Sequence, residues 1–137
     1  MSDVLVNKKV SIERCIRQVR SYYQSRGEVP FERDFLRQDA IAMNLQRAAE
    51  LCIDMANHVI RTRKLGLPQD SRDSFGLLEK EGLIDSTLTN RLKGMVGFRN
   101  VLVHEYRELD FGIMVDVIEN RLDDLLDFTD RALKLAG

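Results

Sequence analysis

Apolar side chains recur every three to four residues along most of the chain, which is the periodicity of amphipathic helices. The first such pattern runs from about residue 4 to 26 and stops at Gly27 and Pro30. A second and longer pattern begins at Phe31 and stops at Gly66-Leu67-Pro68, where helical preference and a backbone donor are lost. The first half of the chain therefore predicts two long helices.

Three further helices are predicted in the second half. A short one spans Ser74 to Lys80 and is closed by Gly82 in the place of a C-cap glycine. Asp85 or Ser86 can cap a fourth helix, and Asp110 can cap a fifth that continues to the C-terminal region. Because each long helix needs neighbours to cover its apolar stripe, we expect one domain over residues 1–137: an all-α, antiparallel helical bundle of four long helices plus a short connector helix.

The fourth predicted helix carries an unusual set of polar residues. One face is apolar and should point into the core; it comprises Leu88, Leu92, Met95, Phe98 and Leu102. Arg99, Asn100, His104 and Tyr106 share about half of the helix surface. Asn100 and His104 stack one turn apart, so the amide could orient the imidazole or a phosphate beside it. Arg99 and His104 do not stack, so their convergence on one substrate must rely on the reach of the arginine, on a helix end, or on a second copy of the chain across a two-fold axis.

Two glycines precede this set on the same helix. Gly94 and Gly97 lie on the face that continues toward His104. A glycine inside a helix costs about 1 kcal/mol relative to alanine, which suggests close approach of a partner helix or of an RNA backbone.

Each polar residue of the fourth helix also has a structural interpretation. Arg99 could pair with a carboxylate of a neighbouring helix, such as Glu50 or Glu119. His104 could be a solvated side chain near a turn, and Tyr106 a half-buried anchor whose hydroxyl reaches water. Taken singly, these residues do not establish a function.

Composition narrows the function classes. The formal net charge of −1 is not that of a strongly basic nucleic-acid binder, although a local basic face could still attract phosphates. Cys15 and Cys52 lie within apolar helical patterns, which is typical of reduced, buried thiols and does not make a metal site. No segment is long and apolar enough to be a signal core or a membrane span. We therefore expect a cytoplasmic protein without metal or other cofactor.

The segment Arg99-Asn100-Val101-Leu102-Val103-His104-Glu105-Tyr106 resembles the signature of HEPN-domain ribonuclease toxins, in the Arg-Asn-x-x-x-His-x-Tyr form of the HepT family. The helix order, the long second helix and the stretch from Gly82 to Asp85 extend the resemblance over nearly the whole chain. It implies a metal-independent endoribonuclease that cleaves mRNA or tRNA at a homodimer cleft. Catalysis would use Arg99, Asn100 and His104.

The resemblance also implies a control mechanism. The toxin of such a type VII toxin–antitoxin system is neutralised by a minimal, MntA-like nucleotidyltransferase antitoxin, which transfers AMP to the motif tyrosine, here Tyr106. AMP beside Arg99 and His104 would add bulk and negative charge where an RNA phosphate must lie. The alternative is a non-catalytic HEPN-like module that binds a nucleotide or a nucleotidyltransferase partner.

Other charged residues carry weaker expectations. Arg107 follows the motif, and Arg14, Arg17 and Arg20 are spaced by three after Lys8 and Lys9, a possible track for RNA phosphates. A solvated basic face is the simpler interpretation of the first-helix cations. The acidic run that includes Asp123 and Asp124 is expected to be a solvated face or a contact with the antitoxin.

Overall fold

The computed structural model describes residues 3–25 and 27–136, the side chain of residue 136 excepted, and shows an all-helical chain. The helices are α1 (Asp3–Gln24), α2 (Phe35–Arg63), α3 (Ser71–Lys80), α4 (Ser86–His104), α5 (Phe111–Asn120) and α6 (Leu122–Ala136), with two 3₁₀ turns at Phe31–Arg33 and Tyr106–Glu108. α2 is the longest and packs against α1, α3, α4 and α6. No helix within the described residues is long and apolar enough to cross a membrane. The predicted all-α fold is confirmed.

Pairs of contacts along neighbouring helices show that the bundle is antiparallel. Lys8 pairs with Asp54 at one end of α1, whereas Arg37 donates to the carbonyl of Tyr23 at the other end. α2 and α4 also run in opposite directions past each other, because Glu50 lies near Arg99 whereas Asp39 lies near Tyr106. This register brings the middle of α2 alongside the C-terminal end of α4.

Aspartates begin four of the helices. The side chain of Asp85 accepts a hydrogen bond from the Leu88 amide, and that of Asp110 from the Gly112 amide, as the sequence predicts. Two further caps, Asp34 and Asp70, were not predicted. Consequently α2 begins after a separate 3₁₀ turn rather than at Phe31, and α3 begins at Ser71 rather than Ser74.

The core contains the predicted apolar face of α4, since Leu88, Leu92, Met95, Phe98 and Leu102 are all buried. Cys15 and Cys52 are buried free thiols, as expected. Burial raises the pKa of both, so each stays protonated and unreactive at neutral pH.

The predicted fifth helix is wrong as a single element, because the structure divides it into α5 and α6 at Arg121. The backbone there (φ −117°, ψ −10°) departs from ideal helical values, so the apolar side of α6 is turned relative to that of α5. Met114, Val117 and Ile118 are buried on α5; Leu122, Leu125, Phe128 and Ala132 are buried on α6.

The acidic run on α6 is not simply a solvated face. Asp130 lies 2.6 Å from Lys9, and Asp123 lies 2.8 Å from Arg20, both cations of α1. Asp124 lies 3.0 Å from Arg91 of α4. These carboxylates connect α6 to two neighbouring helices, and three first-helix cations of the proposed RNA track, Lys8 included, are already paired.

Candidate active site at the end of helix α4

Arg99 extends from α4 toward α2. Its Nε lies 3.5 Å from Oε1 of Glu50, and the same oxygen accepts a hydrogen bond of 3.0 Å from Gln46 Nε2. The Nη1 group of Arg99 donates to Oδ1 of Asn100 at 2.9 Å. Of the two carboxylates proposed as partners of Arg99, Glu50 is therefore the one it meets. Glu119 is occupied elsewhere, since it accepts from the hydroxyl of Tyr23.

These contacts use little of the hydrogen-bonding capacity of Arg99. A separation of 3.5 Å is an ion pair without a good hydrogen bond, and within the described residues Nε is buried without a hydrogen-bond partner. A guanidinium carries five N–H donors in a planar fork that matches the oxygens of a phosphate. Arg99 is thus oriented by Glu50 and Asn100 and still has donors to offer to a ligand.

His104 is the last residue of α4, and its side chain is exposed. The chain leaves the helix at Glu105, whose amide still donates to the carbonyl of Val101. Within residues 3–25 and 27–136, the imidazole makes no hydrogen bond. The oxygen of Asn100 accepts from Arg99, a contact that the sequence did not predict, since Asn100 was expected to orient His104 or a phosphate.

Tyr106 begins the 3₁₀ turn that follows α4. Its hydroxyl donates a hydrogen bond of 2.6 Å to Oδ1 of Asp39, an exposed residue of α2. Burial and this carboxylate raise the pKa of Tyr106 well above its usual value near 10. Tyr106 is half-buried, as its structural interpretation expects, but its hydroxyl is anchored to α2 through Asp39. Sequence reasoning missed Asp39, since residues 67 positions apart meet only through the packing of α2 on α4.

Two open clefts lie beside Tyr106. One, of about 480 Å³, runs along α2 from Asp39 to Glu50, the residue that holds Arg99. The other, of about 410 Å³, is lined by Arg107 and also by Asp39. The tyrosine therefore separates two spaces large enough for parts of a nucleotide.

The remaining predicted residues are more dispersed. Arg107 is exposed in the same turn as Tyr106, whereas Arg14 and Arg17 are exposed on α1, which packs mainly on α2 and α6. A Cβ at Gly97 would lie 2.7 Å from Nη2 of Arg72, so the group that approaches this glycine belongs to the chain itself. A Cβ at Gly94 would meet no described atom within 4 Å, which leaves this part of α4 open.

No cluster of three or more His, Cys, Asp or Glu side chains in the described part of the chain could hold a metal ion. An all-α bundle that carries Arg-Asn-x-x-x-His-x-Tyr from the end of its fourth helix into the following turn, with an exposed imidazole and unfilled guanidinium donors, defines the class of HEPN-type nucleases. The family model described as "Ribonuclease HepT-like" matches residues 12–132, and the chain belongs to this family.

Curated relatives agree with that assignment. The chain is 45% identical over 130 residues to the mRNA nuclease HepT of Shewanella oneidensis, covering 95% of this chain and 96% of the relative. It is 25% identical over 120 residues to a putative RNase of Archaeoglobus fulgidus, covering 87% and 90%.

The fold also matches a solved structure of the tri-AMPylated Shewanella oneidensis HEPN toxin in complex with MNT antitoxin. The TM-score is 0.90 with 45% identity, and 98% of each chain is covered. A second similar structure is a toxin–antitoxin complex with AMP-PNP, with a TM-score of 0.90, 44% identity, and coverage of 97% of this chain and 98% of that one. The predicted family is confirmed; the roles assigned to individual residues stay predictions.

Proposed function

We propose that this chain is the toxin of a type VII toxin–antitoxin pair and a metal-independent endoribonuclease that acts in the cytoplasm on mRNA or tRNA. The observation that carries the proposal is the end of α4, where Arg99 is partly exposed and donates only one hydrogen bond within the described residues, and where His104 is exposed, in a member of a ribonuclease family. The mRNA nuclease from Shewanella oneidensis supports an RNA substrate.

The residues suit cleavage by attack of a ribose 2′-hydroxyl on the adjacent phosphate. His104 acts as the general base or acid, a role that histidine fills more often than any other side chain. Arg99 stabilises the negative charge on the phosphoryl oxygens, and Asn100 holds Arg99 in place for that contact. The route ends in a cyclic phosphate and needs no metal-activated water, so no metal ligand set is required.

A homodimer completes the site. Arg99 leans toward α2 whereas His104 points to solvent, so one chain does not present both side chains on a single face. The open side of α4 at Gly94 lets another helix approach closely. In the dimer, His104 of one copy would face the RNA phosphate held by Arg99 of the other, and Arg107, Arg14 and Arg17 would contribute weaker contacts to the RNA backbone.

Control is exerted through Tyr106. An MntA-like nucleotidyltransferase antitoxin transfers AMP to its hydroxyl, and the added phosphate repels RNA from the cleft beside Glu50 and Arg99. The AMPylated toxin bound to MNT antitoxin supports this proposal. Mass spectrometry after incubation with antitoxin and ATP should locate AMP on Tyr106, and an unmodified Tyr106 would contradict it.

The nuclease is tested by incubating the purified protein with RNA in excess EDTA. We expect His104→Ala to lower the cleavage rate by about 10²-fold or more, because proton transfer contributes about that much. His58→Ala is the matched control, since His58 is the other histidine of the chain and lies on α2 away from the motif. Intact RNA with every variant would favour the alternative, a non-catalytic module that binds a nucleotide or a nucleotidyltransferase.

The dimer is tested separately by sedimentation. A dimer at micromolar concentration is expected, and mixing inactive Arg99→Ala with inactive His104→Ala subunits should restore activity in the mixed dimers. A monomer that cleaves RNA would contradict the shared site.

A further inference from the structure

The hydroxyl of Tyr106 has a single hydrogen-bond partner in the described part of the chain, the carboxylate of Asp39. The distance of 2.6 Å lies in the range of short, charge-assisted O–H···O⁻ bonds. Asp39 is exposed on α2, and clefts open on both sides of the tyrosine. A nucleotide can therefore reach the hydroxyl from outside while the carboxylate stays in contact with it.

The chemistry of AMP transfer requires that this hydroxyl lose its proton. A neutral phenol is a weak nucleophile, and burial and the nearby carboxylate raise the pKa of Tyr106, so little phenolate exists beforehand at neutral pH. The proton must leave as the new bond forms. In protein kinases an aspartate accepts the proton of the attacking hydroxyl in a comparable phosphoryl transfer.

We propose that Asp39 is a catalytic residue of the toxin's own modification, the base that takes the phenolic proton of Tyr106 during AMP transfer; this rests on the proposed control by an antitoxin. Oη of Tyr106 forms a bond to the α-phosphorus of ATP, the bond from that phosphorus to the β-phosphate oxygen breaks, and pyrophosphate leaves. The proton moves to Oδ1 of Asp39. Because the carboxylate is neutralised at that moment, it does not repel the incoming phosphoryl group.

A second tyrosine supplies an internal control. Tyr23 donates to Oε2 of Glu119, also at 2.6 Å, but this pair joins α1 to α5. The hydrogen-bond distance is the same as at Tyr106, whereas the position relative to the motif differs. If a tyrosine–carboxylate bond mattered only for folding, the two pairs would respond alike to loss of the carboxylate.

The test measures the initial rate of AMP incorporation into the full-length toxin by intact-protein mass spectrometry, with the cognate antitoxin and ATP. Asp39→Asn should lower the rate by about 10²-fold, since general base catalysis contributes at least that much. Asp39→Glu keeps a carboxylate and should restore most of the loss. Glu119→Gln should leave the rate at the wild-type value. Thermal unfolding of each variant verifies that it is folded.

A pH series separates proton transfer from positioning. Solvent hydroxide replaces the missing base in Asp39→Asn, so its deficit should shrink as the pH rises, and the ratio to the wild-type rate cancels the antitoxin's own pH dependence. An Asp39→Asn rate equal to wild type, or a deficit independent of pH, would overturn the role of Asp39 and leave control through Tyr106 intact. No AMP on wild-type Tyr106 would overturn both.

Discussion

Two charged regions of the molecule can be compared: the face between α1 and α6, and the C-terminal end of α4. Both combine cations with carboxylates, but they differ in how closely these side chains are paired. Between α1 and α6, Lys9 contacts Asp130 at 2.6 Å and Arg20 contacts Asp123 at 2.8 Å, and both contacts are hydrogen bonds. At the end of α4, Arg99 meets Glu50 only at 3.5 Å, and His104 is exposed. Charges that hold helices together are paired within the chain, whereas the charges that we propose to bind RNA keep hydrogen-bonding capacity for a ligand.

A buried nitrogen without a hydrogen bond is not sufficient to mark a site, since Nε of Arg37 has none either. Arg37, however, donates to the carbonyl of Tyr23 and covers the ring of Phe31 at 5.0 Å, so its contacts are structural. The distinction lies in what surrounds the arginine. Arg99 stands near an exposed histidine and an open cleft that reaches its partner Glu50.

Among substitutions that distinguish the two regions, the largest effect on RNA cleavage is expected at Arg99. Arg99→Lys keeps the positive charge but loses the planar fork, and RNA cleavage should fall by about 10²-fold. Arg91→Lys is the matched control on the same helix; its partner is Asp124, and its cleavage rate should stay near wild type. Equal activity of the two variants in a cleavage assay would show that the fork of Arg99 has no special role.

A smaller effect is expected at Glu50, whose proposed role is to orient Arg99. Glu50→Gln keeps an acceptor but removes the charge that orients the guanidinium, and we expect kcat to fall by about tenfold with a smaller change in KM. Gln46→Ala removes the hydrogen bond that orients Glu50 and should have a weaker effect in the same direction. Steady-state kinetics on a short RNA decides this, and a rise in kcat would mean that Glu50 restrains Arg99 instead.

The spacing of apolar and capping residues was sufficient to predict the features that depend on a single helix. The buried face of α4 and the caps Asp85 and Asp110 follow from local spacing. The break at Arg121 carries no glycine or proline, so it left no local signal in the sequence. Likewise, the choice of Glu50 over Glu119 beside Arg99 requires the register of α2 against α4.

The pair of Tyr23 with Glu119 is another contact that holds helices together, and the pH dependence of stability can test it. The hydrogen bond to Glu119 raises the pKa of Tyr23 from 10 to about 12. In the folded chain Tyr23 keeps its proton where the unfolded chain loses it, so its stabilisation is complete below pH 10 and is lost as the pH rises toward about 12. Tyr23→Phe should therefore weaken the alkaline fall in melting temperature. If the melting temperature of this variant fell at alkaline pH as much as that of the wild type, groups other than Tyr23 would cause the fall.

The smallest effect is expected on the paired face itself. Arg20 and Asp123 are largely exposed, with 42% and 85% of their side chains accessible, and an ion pair in water contributes only about 0–1 kcal/mol. A double-mutant cycle of Arg20→Ala and Asp123→Ala, followed by urea unfolding, should give a coupling in that range that weakens with added salt. RNA cleavage should not change in either variant, because both residues have their partner within the chain. If cleavage fell with Arg20→Ala alone, the α1 cations would belong to the RNA surface after all, and pairing with a carboxylate would no longer distinguish structural charges from functional ones.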